Sequence, residues 1–300
     1  VAEKVSQFIE SPEVQEAAQN PPVADGLWQE TVYLHSGELQ QEAIDLIPGG
    51  RNGWDVAVGR TYRSRTIGGY FLGIGWESSL FRRVRPLPNG DVEVRDGAGE
   101  IWLFTSNGPG AYIPPPGLTM KLTRSDDGWT LFDQAWRQFR FDDFGRLVAE
   151  GDEFVDPKTP GSGNTIHYLY DPRGRLARIV DPVGRTTTLA YDEGETELLE
   201  DVTDWRGRRV TYEYDQLGRL SRVKLPKVTN PHVAAPDAFT GIPEIGYEYP
   251  LQPGSYNDVL DLGANLVSIR EPAQMPDGAA RVVFGYGDAS EPAARDRISH

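Results

Sequence analysis

The sequence predicts a mainly β protein, a long array of antiparallel hairpins behind a short helical N-terminal segment. Three observations carry that prediction. The turn formula Asp-x-x-Gly recurs six times. Between many of those turns lie runs of about five to eight residues with alternating side-chain character, the period-2 pattern of half-buried strands. Pairs of aromatic residues two positions apart recur through the second half of the chain.

Residues 1–26 read as the helical segment. Val5, Phe8 and Ile9 are spaced for one helix face. Ser11-Pro12-Glu13 then supplies an N-cap, a first-turn proline and an acidic first turn, which predicts a second short helix over 12–19. "NPPVADG" ends it. From Leu27 the texture changes. "VAVGRTYRS", "DVEVRD", "EIWLFT", "LTMKLTR" and "WTLFD" read as strands, and 27–135 is expected to form an N-terminal β-domain. Residues 136–300 are expected to form the hairpin array, interrupted by long loops near 226–243 and 250–265.

Each residue of the repeated turn has a physical task. Asp142, Asp171, Asp181, Asp204 and Asp215 are followed three residues on by Gly145, Gly174, Gly184, Gly207 and Gly218. Arg146, Arg175, Arg185, Arg208 and Arg219 come next. Asp96 and Gly99 keep the spacing without the arginine. The aspartate accepts bonds from the turn amides, Pro172 and Pro182 preset φ, and the glycine takes the left-handed conformation that closes a G1 bulge. The Asp…Arg pairs would flank the turn as exposed ion pairs of small net worth. A row of binding charges along the ribbon edge is the competing reading, and five recurrences in one turn context favour architecture.

The aromatic pairs are Phe139/Phe141, Tyr168/Tyr170, Tyr212/Tyr214, Tyr247/Tyr249 and Phe284/Tyr286, with Leu189/Tyr191 a partial copy. Residues i and i+2 of a strand share one sheet face. Tyr170 and Tyr191 lie 21 residues apart, and Tyr191 and Tyr214 lie 23 apart. Each pair therefore marks one hairpin, and repetition on this scale points to a solenoid or long meander. Rows of rings could stack on sugars. A packed or cavity-lining face is favoured instead, because neighbouring cross-strand pairs add about 0.2–1 kcal/mol each. A lining open to an incompletely folded polypeptide is one form of that expectation.

Composition excludes several functions. A net charge of −15 on 300 residues repels phosphate backbones and argues against nucleic-acid binding. Without cysteine there are no disulfides and no thiolate sites. No apolar run approaches the roughly 20 residues of a membrane-spanning helix. The chain starts without an initiator Met or signal peptide, and a segment of something longer is expected. Glu195/Glu197 and Asp142/Asp143 are sequence neighbours, not the convergent carboxylates that glycoside hydrolysis needs. His35, His167, His232 and His300 lack metal-ligand spacing, and Asn257, Asp258 and Asp261 lack calcium-loop order. Phosphate-loop and nucleophile-elbow motifs are missing. No cofactor, metal or turnover chemistry is expected.

Two stretches resemble a known family. "YLYDPRGRLARIVDPVGRTTTLAYD" and "VTYEYDQLGRLSRV" resemble the YD repeats of rearrangement-hotspot (Rhs) proteins, also found in toxin-complex proteins and teneurins. Residues 36–85, with Arg60-Thr61-Tyr62-Arg63-Ser64 and Gly73-Ile74-Gly75-Trp76, are similar to the segment that precedes those repeats. The resemblance implies a spiral ribbon wound into a shell around a C-terminal toxin, with the N-terminal region as a plug or attachment point. Its implied partners are the rest of the shell, the toxin, and a secretion or injection apparatus. It implies an exported or cell-surface protein. A carbohydrate-binding or adhesion module on the same fold is the alternative. Some family members carry a cleavage motif, Pro-Val-x-x-x-x-Gly-Glu. Here Thr31, Val32, His35, Gly37 and Glu38 occupy that stretch, with Thr31 in place of proline. Glu38, with His35 as helper, is the candidate for single-turnover processing. The family's closing Asp-Pro-x-Gly-Leu motif is absent, and the similar Asp171-Pro172-Arg173-Gly174-Arg175 has Arg in place of Leu and belongs to a repeat. The start of a shell, without its closing end or cargo, is therefore expected.

Overall fold

The computed structural model describes residues 28–33, 38–50, 54–64, 71–152, 163–194, 196–229, 240–250, 265–270, 280 and 282–284. The helical segment expected over 1–26 lies outside them, as do most of the two long loops. Among the described residues the helical content is one 3₁₀ turn, Ser79–Phe81. The protein is mainly β and antiparallel.

Two principal sheets are present. The N-terminal sheet holds β1 (Trp28–Tyr33), β2 (Glu38–Leu46), β3 (Val58–Arg63) and β4 (Trp76–Glu77), in chain order. The larger sheet begins with β5 (Arg83–Pro86), β6 (Val92–Arg95), β7 (Ile101–Ser106), β8 (Ala111–Ile113) and β9 (Lys121–Ser125). It continues through β10 (Gly128–Phe132), β11 (Gln138–Phe141), β12 (Leu147–Gly151), β13 (Thr165–Tyr170) and β14 (Leu176–Val180). Next come β15 (Thr186–Tyr191), β16 (Leu199–Thr203), β17 (Arg209–Tyr214) and β18 (Leu220–Lys224). The short β19 (Val228–Thr229) and β20 (Thr240–Gly241) pair only with each other. β21 (Glu244–Glu248), β22 (Ser268–Arg270) and β23 (Val282–Val283) rejoin the large sheet.

Hydrogen bonding runs on past residue 135. β10 pairs with β11 across it, and the break between sheets falls between β4 and β5. The large sheet also closes on itself near its start, while β23 pairs only with β22 among the described strands. Part of the reason is local. β5 returns to the tip of the β11–β12 hairpin through the antiparallel bridge Arg83↔Arg146, and Val84 N donates to Gly145 O at 2.9 Å. Strands β5 to β12 thereby form a ring.

Alternation sets which face is buried. In β15, Thr187, Leu189 and Tyr191 are buried, whereas Thr188 and Ala190 are exposed. The same pattern places Val92 and Val94, Ile166 and Tyr168, and Val210 and Tyr212 in one continuous core. Each such side chain contributes about 1.5–3 kcal/mol by leaving water.

The repeated turns are nearly identical. At Asp171, Oδ1 accepts the N–H groups of Arg173 and Arg175 at 2.9 Å each, and Oδ2 accepts Arg175 Nε at 2.8 Å. Asp142, Asp181, Asp204 and Asp215 repeat all three bonds. All five turn glycines have positive φ. A register shift falls at Phe141, Tyr170, Tyr191 and Tyr214, so the bulges gather at one end of the ribbon. Asp96 makes the same turn, bonding Ala98 N and Glu100 N. One more copy escapes the sequence formula. Asp133 Oδ1 accepts Ala135 N and Arg137 N, and Trp136 holds the left-handed position at φ 57°.

Candidate functional site: the junction of the two sheets

Asp45 and Arg60 face each other on β2 and β3 with no solvent exposure. Asp45 alternates with Leu39, Gln41 and Ala43 on the buried face of β2. Its carboxylate takes Arg60 Nε at 2.7 Å and NH2 at 3.0 Å. Two residues of the array complete the cluster. Tyr212 donates its hydroxyl to Asp45 Oδ2 at 3.0 Å, and Arg60 NH1 donates to Tyr247 Oη at 2.5 Å. The guanidinium also lies over the rings of Trp76 and Tyr247, at 4.8 and 5.0 Å. Burial opposes the charge on Arg60, but Asp45 and the two tyrosines outweigh it, holding the pKa above its ordinary value.

Further bonds run across the width of the ribbon. At the bulged end, Phe71 O accepts Leu199 N at 2.7 Å, and the Phe71 ring meets Tyr191 edge-on at 5.3 Å. At the other end, Trp205 Nε1 donates to Pro48 O at 2.9 Å and Arg208 to Ile47 O at 2.7 Å. In between, Trp76 Nε1 donates to Tyr249 Oη, and Leu266 N donates to Tyr62 Oη. The N-terminal sheet therefore covers the aromatic face of the array.

Along the array a second contact repeats. The hydroxyls of Tyr170, Tyr191, Tyr214 and Tyr249 donate to the carbonyls of Leu147, Leu176, Leu199 and Leu220, at 2.7–2.9 Å. Each carbonyl belongs to the second strand of the preceding hairpin. The ladder explains the need. β14 and β15 pair only at Arg178–Val180 against Thr186–Thr188, so Leu176 lies beyond the ladder and the tyrosine reaches it. Above the rings sit turn arginines of preceding hairpins. Arg146 lies over Tyr170, Arg175 over Tyr191 and Arg219 over Tyr249, at 4.6, 4.9 and 4.8 Å. Residues 170–208, which hold three of the Asp–Arg turns and one tyrosine–leucine joint within the stretch, match the family model described as RHS Repeat.

The chain carries an RHS repeat.

No curated protein matches the chain. Among solved structures, the crystal structure of TcdB2-TccC3 is 14% identical, with a TM-score of 0.24, over 83% of this chain and 16% of its own. The Photorhabdus luminescens Tc holotoxin pore with a mutated TccC3 is 14% identical, with a TM-score of 0.22, over 85% and 16%. The TcdB2-TccC3-Cdc42 crystal structure is 11% identical, with a TM-score of 0.19, over 82% and 19%. The chain thus spans less than a fifth of the length of each of these structures.

Within and around the RHS repeat, the predicted residues fall as follows. The five Asp–Arg pairs form at 2.6–2.8 Å. Their exposure varies along the ribbon: Asp204 is fully buried and Arg219 retains 7% exposure, whereas Arg208 is 39% exposed. Phe139, Phe141, Tyr168, Tyr191, Tyr212, Tyr247 and Tyr249 are each 8% exposed or less, with Tyr170, Tyr214 and Phe284 partly buried against them. The N-terminal segment covers Tyr191, Tyr212, Tyr214, Tyr247 and Tyr249, so these rings present no open surface to a cargo chain. Tyr286 lies outside the described residues. In the processing motif, Thr31, Val32 and Glu38 lie on the β1–β2 hairpin, whereas His35 and Gly37 lie outside the described residues. Glu38 is 8% exposed and held by Arg63, at 3.1 and 2.8 Å. His167 is exposed on β13. Among the described residues no acidic or histidine cluster could hold a metal.

Sequence reasoning missed Asp45. Its signal was a lone carboxylate in the apolar run Ala43-Ile44-Asp45-Leu46-Ile47. It also missed Trp205 and Trp54, which receive Arg185 and Arg137 over their rings at the far end of the ribbon.

Proposed function

We propose that this chain is a wall segment of an RHS-repeat shell that encloses a toxic C-terminal polypeptide until delivery. One observation carries the reading: the tyrosine–leucine joint, mostly roofed by a turn arginine, recurs from hairpin to hairpin. A joint of this kind extends a wall by repetition, and its polar groups are satisfied within the protein. The role is mechanical. Glu38, engaged by Arg63, serves the hairpin, and a cleavage at 31–38 would need that ion pair to open first. The partners are the remaining shell, the toxin and a delivery apparatus, and the protein is exported. Among the described residues no helix is long and apolar enough to cross a membrane.

Limited proteolysis of the complete natural polypeptide tests this. A C-terminal segment should resist trypsin in the native protein and become sensitive when Asp45→Asn loosens the junction. Equal digestion of that segment in both proteins, at the rate of the isolated segment, would remove the proposal.

A further inference from the structure

The chain is strongly acidic, yet one groove of about 350 Å3 is lined by five cations and no carboxylate. Arg206, Arg208 and Arg209 come from the β16–β17 turn and the start of β17. Lys224 and Lys227 come from the end of β18 and just beyond. Pairing of Thr211 with Lys224 brings the two groups together. Leu225, Pro226 and Ile242 supply an apolar floor, and Ile242 is 52% exposed. Leu225 N donates to Pro243 O at 2.8 Å, which fixes that floor.

Three of the cations have acidic partners outside the lining. Arg208 pairs with Asp204, Arg209 with Asp201 and Lys224 with Glu213. The other two are surplus. Arg206 lies over the exposed Trp205 ring at 4.5 Å, and neither it nor Lys227 meets a carboxylate among the described residues.

We propose that this groove docks a short acidic polypeptide segment bearing an apolar side chain. Carboxylates would meet Arg206 and Lys227, and the apolar side chain would cover Ile242 and Leu225. Charge complementarity of this kind steers and orients a partner. The apolar floor disfavours a phosphate polymer, which would leave it unmet. The net charge disfavours any long polyanion, because its ends would run over acidic surface beyond the screening length of about 8 Å. The proposal stands whether or not the chain belongs to a toxin shell.

The test is fluorescence anisotropy on the whole chain, with a labelled hexapeptide of glutamate and leucine as probe. Binding should weaken as salt rises. The double variant Arg206→Ala, Lys227→Ala should bind about tenfold more weakly, two surface charge contacts being lost. Both residues are exposed and neither holds an ion pair, so the variant's thermal midpoint should shift by no more than the small worth of the exposed Arg206–Trp205 contact. A probe with glutamines for glutamates, or serines for leucines, should bind more weakly than the original. The proposal falls if the probe fails to bind, if the double variant binds as tightly as the native chain, or if a ten-nucleotide DNA strand or an anionic phospholipid vesicle binds more tightly.

Discussion

Asp45 and Arg60 form a fully buried ion pair, and each also bonds a tyrosine that enters the sequence more than 150 residues later. The pair thus fastens the N-terminal sheet to the array. Removing one partner of such a pair leaves a charge without water, at a cost of about 3–5 kcal/mol. Asp45→Ala and Arg60→Ala should each lower unfolding stability by that much in urea titration. Asp45→Leu combined with Arg60→Met should be less damaging than either single change, since no lone charge remains. Singles that cost under about 1 kcal/mol would show that water reaches the site.

The tyrosine–leucine joint makes a separate prediction. Tyr191→Phe keeps the ring against Phe71 but leaves the Leu176 carbonyl without its donor. An unsatisfied buried acceptor costs about 1–3 kcal/mol. Arg219 and Tyr249 test the arginine roof by a double-mutant cycle, with Arg219→Ala and Tyr249→Leu. A shielded cation–ring contact should give a coupling of about 1–2 kcal/mol. Additive effects would reduce the arginine to its ion pair with Asp215.

Much of the wall was legible because its signals are local. Asp171 to Arg175 carry the whole turn within five residues, and Thr186 to Tyr191 carry their burial pattern in simple alternation. The junction was not legible. Asp45 finds Tyr212 only after the array has folded back, and no spacing rule links positions 167 apart. The turn at Asp133 was hidden for another reason, since Trp136 stands where the formula requires glycine. The arginines were underestimated because their second partner, the next hairpin's ring, is visible only in three dimensions.

Two turn glycines separate backbone strain from crowding. Gly207 has φ +77°, and a Cβ there would meet nothing within 4 Å. Trp136 shows that a side chain can occupy the corresponding position of a sister turn. Gly207→Ala should therefore cost only the left-handed strain, about 1–2 kcal/mol. Gly145 has φ +78°, and a Cβ there would lie 1.8 Å from the Val84 carbonyl oxygen. Gly145→Ala must push the hairpin tip off β5 and break the bridge that closes the ring. Its cost should exceed that of Gly207→Ala by about 2 kcal/mol or more, the range of an overpacked core. Equal losses in thermal unfolding would mean that the tip yields freely.

Alkaline pH should unfold the protein through its tyrosines. Burial pushes the Tyr247 hydroxyl from 10.0 up to about 12, and it drives Tyr168, Tyr212, Tyr214 and Tyr249 well above 10.0. In the unfolded chain these groups lose their protons near pH 10. Above that pH the unfolded state binds fewer protons than the native state, so stability falls as pH rises. Their contribution is fully present below pH 10 and is lost as pH climbs through 12 and beyond. Each group steepens the fall by up to about 1.4 kcal/mol per pH unit. Tyrosinate absorbance and near-ultraviolet circular dichroism should therefore change together for these residues, in one cooperative step above pH 10. Replacing Tyr212 by phenylalanine should make that step shallower. Complete tyrosinate formation while the dichroism stays native would show that the rings are open to water and that the N-terminal sheet does not seal them.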